Sequence, residues 1–174
     1  MQAFNIDEFR EYMETCSKTS KVYIGTDSAR FRRKGSWFAD YITVVVIHKE
    51  GRHGCKVFGE IQREPDTQEK LSRPFNRMMS ETYKAAEMYQ RIEDILIEAD
   101  LDTDPQVHLD INPNKDYGSS CAVQAAIGYI RAMCNVTPLV KPDAVAASYA
   151  ADRYTQSSNR AKRKLFKQIG SEAA

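Results

Sequence analysis

No charge excess, no long apolar run and no paired cysteines mark this sequence. The formal net charge is +1 over 174 residues, so no global field recruits a polyanion or a membrane. No apolar stretch approaches the roughly 18 residues of a membrane-spanning helix. The longest, Ile42 to Ile47, is strand-length. Cys16, Cys55, Cys121 and Cys134 stand far apart and form no C-x-x-C pair, which excludes a zinc or redox motif of that kind. With no secretory leader read, the expectation is reduced thiols in a cytoplasmic protein without a membrane partner. A G-x-x-x-x-G-K-[ST] phosphate loop and a G-x-S-x-G nucleophile turn are both absent, which speaks against small-nucleotide phosphoryl chemistry and a serine hydrolase.

What is present is pattern. Asn5, with Glu8 three residues on, forms a capping box. Phe4, Ile6, Phe9, Tyr12 and Met13 give the short helix behind it an apolar face, and Ser17 to Ser20 ends it. Three strand patterns follow, Lys21 to Phe31, Trp37 to Lys49 and Cys55 to Arg63, the second long and β-branched. Short turns between them, Arg32-Arg33-Lys34-Gly35 and Glu50 to Gly54, predict an antiparallel meander. From Pro74 to about Ala99 the apolar period is helical. Gln106 to Ile111 reads as a short strand, and Ser119 or Ser120 caps a small-residue helix to Cys134. Thr137 to Lys141 is a last strand, and Asp143 caps a helix through Tyr154 or beyond. This order predicts an α/β domain: a mixed five-stranded sheet, three antiparallel strands then parallel βα units, flanked by helices on both faces. The length suits one domain over 1–174, with a core at about 21–156, an N-terminal helix at 5–16 and a basic tail at 157–174.

Charge is segregated within that near-zero total. Arg30, Arg32, Arg33 and Lys34 form one basic run, and Arg160, Lys162, Arg163, Lys164 and Lys167 another. An acidic stretch from Glu87 to Asp104 lies between them. Taken alone, each run is an ordinary solvated face. Together they can steer a polyanion to one side of the molecule.

Four acids occupy unusual places. Asp27 sits in a strand, where Asp is disfavoured, on one face with Tyr23 and Gly25. Asp110 shares a face with His108 in the next short strand, opposite Val107, Leu109 and Ile111. Both can instead be read as turn residues. Glu81 falls inside the stripe Met78, Ala85, Met88, Ile92 and Ile95, where a carboxylate is costly unless paired. The competing account puts it at the stripe's edge, or pairs it with Arg77 or Lys84. Asp152 shares a face with Val145, Ser148 and Tyr149 on a helix of small residues, or else makes a surface ion pair with Arg153 or Arg160. Clustered carboxylates repel, so they need cations or raised pKa values. Hard divalent ions answer that need. Two Mg2+ or Mn2+ ions, roughly 4 Å apart, would activate water and stabilise the leaving oxygen in phosphodiester cleavage.

The element order resembles that of the ribonuclease H-like superfamily. Ser148-Tyr149-Ala150-Ala151-Asp152 looks like its polar-x-x-small-Asp helix motif. IGTDS (Ile24 to Ser28), HLDIN (His108 to Asn112) and KPDAVAASYAADRYT (Lys141 to Thr155) resemble the motifs of its YkuK-like branch, over a span from about Val22 to Thr155. The resemblance implies that Asp27, Glu81, Asp110 and Asp152 are both metal ligands and catalytic residues. Asp143, in the same C-terminal motif, is either the fourth ligand in place of Asp152 or a helix N-cap, the expected role after Pro142. His108 and Ser148 would stand behind the acids, although a lone strand histidine more often is packed and hydrogen-bonded.

The resulting expectation is a metal-dependent nuclease acting on RNA, DNA or a hybrid. Arg30, Arg32, Arg33, Lys34, Lys162, Arg163 and Lys164 would bind phosphates without reading sequence. Tyr117 and Tyr154 would stack on sugars or bases. The alternative is a catalytically inactive ribonuclease H-like module that binds nucleic acid.

Overall fold

The computed structural model describes residues 3–51, 54–66 and 74–144. Helix α1 (Ile6–Glu14) starts at Asn5, whose side chain accepts a hydrogen bond from the Glu8 amide at 3.2 Å. Strands β1 (Lys21–Arg33), β2 (Ser36–His48) and β3 (Cys55–Pro65) follow as an antiparallel meander. The first turn is tighter than expected. Arg32 and Arg33 belong to β1, and the turn is Lys34-Gly35 alone, with φ 47° and 85°. Two successive positive φ values are those of a type I′ hairpin, whose twist matches the strands it joins. Helix α2 (Phe75–Glu98) leads to β4 (Gln106–Leu109), α3 (Val123–Cys134) and β5 (Leu139–Val140).

The sheet order is β3-β2-β1-β4-β5, with β4 parallel to both β1 and β5. It is the mixed five-stranded sheet expected. Val22, Ile24, Val45, Ile47, Phe58, Val107 and Leu109 point to one face, where they form a single core with Phe9 and Met13 of α1 and the buried stripes of α2 and α3. Tyr23, Ile42, Val44, Val46 and Ile61 form a separate cluster on the other face. The three described helices therefore share one face. The helix predicted from Asp143 falls beyond Ala144, outside the described residues, so helices on the second face are not described.

Two local expectations are corrected. The strand expected to reach Ile111 ends at Leu109, so Asp110 lies just past it. Ser119 and Ser120 do not cap α3. A 3-10 turn (Gly118–Ala122) precedes that helix, which has no side-chain cap. The Ser119 hydroxyl instead accepts from the Asn112 amide at 3.1 Å, tying the loop after β4 to the turn.

Candidate functional site

The acids of interest gather where β1 and β4 run side by side. Parallel pairing ends at Thr26↔Leu109, and one further step of the same register sets Asp27 level with Asp110. Strand alternation puts both on the face of Tyr23 and His108. Glu81 approaches from α2 on the opposite face and is only 4% exposed, in line with its place on the buried stripe.

Ser28 joins the two faces. Its amide donates to Asp27 Oδ1 at 2.7 Å, while its hydroxyl donates to Glu81 Oε1 at 2.5 Å. Arg77 Nη1 in turn donates to the Ser28 hydroxyl at 3.1 Å. Burial pushes the Glu81 carboxyl up to about 8; Ser28 and Arg77 oppose the rise, and the charges of Asp27 and Asp110 add to it. The three acids thus form one electrostatic unit. Lys84, the other suggested partner of Glu81, pairs with Glu64 and donates to Gln62 Oε1 at 2.8 Å.

Asp110 has a cation beside it, Lys141 Nζ at 2.5 Å from Oδ1. That contact lacks hydrogen-bonding geometry, and Oδ1 is a buried oxygen without a hydrogen-bond partner. His108 is 3% exposed, and its ring lies 5.1 Å from that of Tyr23. Nε2 sits 3.3 Å from Gln106 Oε1, and the buried Nδ1 has no hydrogen-bond partner. Burial pulls this imidazole down to about 4, which keeps it neutral.

Among the described residues, no three His, Cys, Asp or Glu side chains stand close enough together to hold one ion. The donor chemistry nonetheless suits a hard divalent cation: three carboxylates, two of them level on neighbouring strands and the third coupled to both by charge. Asp143 is exposed, its amide bonded to the Val140 carbonyl. Asp152, Ser148, Tyr154, Lys162, Arg163 and Lys164 lie outside the described residues.

The basic run divides in two. Arg30 is committed, paired with Asp66 and stacked 4.9 Å above Trp37. Arg32, Arg33 and Lys34 are exposed at the hairpin tip. Tyr117 is 55% exposed in the loop after Asp110. The acidic stretch reaches the opposite end of the sheet, where Lys18 pairs with Asp100 and accepts the Asp102 amide just before β1 begins. Three participants escaped the sequence reading as site residues: Ser28, Arg77 and Lys141. Ser28 and Lys141 stood inside motifs and Arg77 was considered only as an ion-pair partner of Glu81; the packing of α2 on β1 brings Arg77 to Ser28, and the turn after β5 brings Lys141 to Asp110.

A mixed sheet in the order β3-β2-β1-β4-β5, with three helices packed on one face, defines the class of α/β domain. Residues 5–156 match the family described as Ribonuclease H-like, and the chain belongs to that family. No curated protein and no solved structure matches it. All four cysteines are free thiols. No helix among the described residues is long and apolar enough to cross a membrane.

Proposed function

We propose that the chain is a metal-dependent nuclease whose divalent ions, Mg2+ or Mn2+, are held by Asp27, Glu81 and Asp110, with Asp152 as the further ligand. One observation carries this reading: a carboxyl on α2, 4% exposed against the middle of β1, raised to about 8 by burial and by two neighbouring carboxylates. Such an arrangement is costly on its own and becomes favourable with a cation. When bound, the ions supply charge stabilisation and an activated water for phosphodiester cleavage.

The protein's own part is orientation and charge control. Ser28 holds Asp27 and Glu81 in register through its amide and hydroxyl. Arg77 fixes the Ser28 hydroxyl, so that its proton points at Glu81. With its raised pKa, Glu81 keeps a proton near neutral pH, and holding a cation would require its ionised form. Lys141 offsets the charge of Asp110. Burial keeps His108 neutral on the same sheet face as Asp27 and Asp110. The exposed cations of the hairpin tip would hold substrate phosphates without reading sequence.

A second reading is a binding module without catalysis. It is favoured by the Lys141 contact on Asp110 and by the lack, among the described residues, of a three-ligand set. Incubation with labelled hybrid duplex, single strands and a four-way junction, with Mg2+ or Mn2+, separates the two. Cleavage by the wild type that disappears in Asp27→Asn supports the nuclease. Binding without cleavage in both supports the module.

A further inference from the structure

The antiparallel half of the sheet outruns the parallel half. β1 pairs with β2 from Lys21↔His48 to Arg33↔Ser36, whereas its pairing with β4 stops at Thr26↔Leu109. β3 supports β2 as far as Phe38↔Pro65. The β1–β2 hairpin therefore continues past Asp27 as an arm, braced by β3 almost to its tip.

The side chains along the arm stiffen it. On one face Arg63 makes two hydrogen bonds to Asp40, at 2.6 and 2.9 Å, and lies 4.7 Å above Phe31. Phe31 stacks on Phe38 with ring centroids 5.9 Å apart. On the other face Arg30 pairs with Asp66 and covers Trp37. The Asp66 amide bonds to the Trp37 carbonyl at 2.9 Å, carrying the strand contact one residue further. Arg30 and Arg63 are thus used in bracing. At the tip, the type I′ turn presents Arg32, Arg33 and Lys34 to solvent, with no acid between Phe31 and Trp37.

We propose that this arm is a ruler for a nucleic-acid duplex, its tip cations Arg33 and Lys34 gripping phosphates about six base pairs from the acid site. The inference rests on the nucleic-acid reading above and adds to it a substrate form and a length. Six residues separate Asp27 from Arg33 along β1. At about 3.4 Å per residue the strand covers ~20 Å. A duplex advancing ~3.4 Å per base pair covers that distance in about six pairs. The arm is braced on both faces, so the spacing is fixed by the fold.

The chemistry of the arm selects a duplex over a single strand. Single strands are held by aromatic rings open to unstacked bases. Here Phe31, Phe38 and Trp37 are taken up by each other or by arginines. What the tip offers is charge, and charge reads the backbone alone. The acidic residues around Asp100 and Asp102 lie at the other end of the sheet, so the same duplex is repelled from that end.

The test is binding of fluorescent duplexes from about 4 to about 16 base pairs, and of the matching single strand, by the full chain and by an Arg33→Gln/Lys34→Asn variant. Asn tolerates the left-handed backbone at position 34, so the turn is kept. Wild-type affinity should rise in a step at about six to eight base pairs, and the variant should lose that step while keeping its affinity for shorter duplexes. Loss of two phosphate contacts should also shrink the affinity drop between about 50 and 200 mM salt by about 12-fold. An unchanged step and salt dependence in a variant that still binds duplex would overturn the ruler and leave the nuclease reading standing. Tighter binding of the single strand would overturn the duplex assignment. No binding of any duplex at about 50 mM salt would overturn both readings.

Discussion

Replacing Glu81 by Gln removes a titratable carboxyl and leaves the shape. Glu81 is 4% exposed, and its carboxyl is raised from 4.5 to about 8, by burial first and then by Asp27 and Asp110. The folded chain therefore holds a proton that the unfolded chain releases between those two values. Stability contributed by this group is full below pH 4.5 and is lost as pH rises to about 8. At roughly 1.4 kcal/mol per pH unit, the whole window is worth at most about 5 kcal/mol. His108 works the other way. Burial lowers it from 6.5 to about 4, so its contribution is full above pH 6.5 and lost on acidification. The two trends offset each other below pH 6.5, and above it Glu81 acts alone. Between pH 6.5 and 8 the wild type should lose about 2 kcal/mol that Glu81→Gln retains. That corresponds to about 4–8 °C in Tm for a chain of this size. Urea unfolding of both proteins in EDTA across that range measures the difference directly. Parallel pH profiles for wild type and variant would refute the assignment of Glu81 as a buried carboxyl coupled to its neighbours.

Other outcomes follow from single contacts. Ser28→Ala removes the one described hydrogen bond that opposes the rise of Glu81, so the pH window of destabilisation should extend further upward in the same unfolding assay. Gly59→Ala should cost about 1–3 kcal/mol in chemical denaturation, because its Cβ would lie 2.9 Å from the Thr43 carbonyl oxygen inside the β2–β3 ladder. Asp27→Asn should abolish cleavage and yet leave or strengthen duplex binding in a salt titration, since it removes a negative charge beside the phosphate. Weaker binding in that variant would place Asp27 in substrate contact instead.

The elements were legible where one physical constraint dominated. The 3.6-residue period of α2 forced Glu81 onto the buried stripe, and Met78, Ala85, Met88, Ile92 and Ile95 are all buried beside it. The two-residue alternation of β1 and β4 put Asp27 and Asp110 on a common face with His108. The mix of antiparallel and parallel pairing followed from short turns among the first three strands and helical crossovers after them. Reading failed where two options of similar energy competed. Arg32 and Arg33 looked like turn residues because they are charged. An exposed strand pair accommodates them, and the backbone demand for two positive φ values falls on Lys34-Gly35. Ser119 and Ser120 were plausible caps, but the loop after β4 claims the Ser119 hydroxyl. Arg30 looked available for phosphate, and its partner Asp66 lies two strands away in sequence. For the same reason Ser28 was invisible as the link between Asp27 and Glu81. A serine has too many local uses for sequence alone to choose the one made across the fold.

The central claim is that Asp27, Glu81 and Asp110 belong to one divalent-cation site. Titration of Mn2+ into the full chain, with free ion followed by its electron paramagnetic resonance signal, tests it without requiring any substrate. Wild type should deplete free Mn2+ through a saturable site, and Asp27→Asn and Asp110→Asn should each weaken or abolish the uptake. Equal uptake by wild type and both variants, or none by any of them, would contradict it.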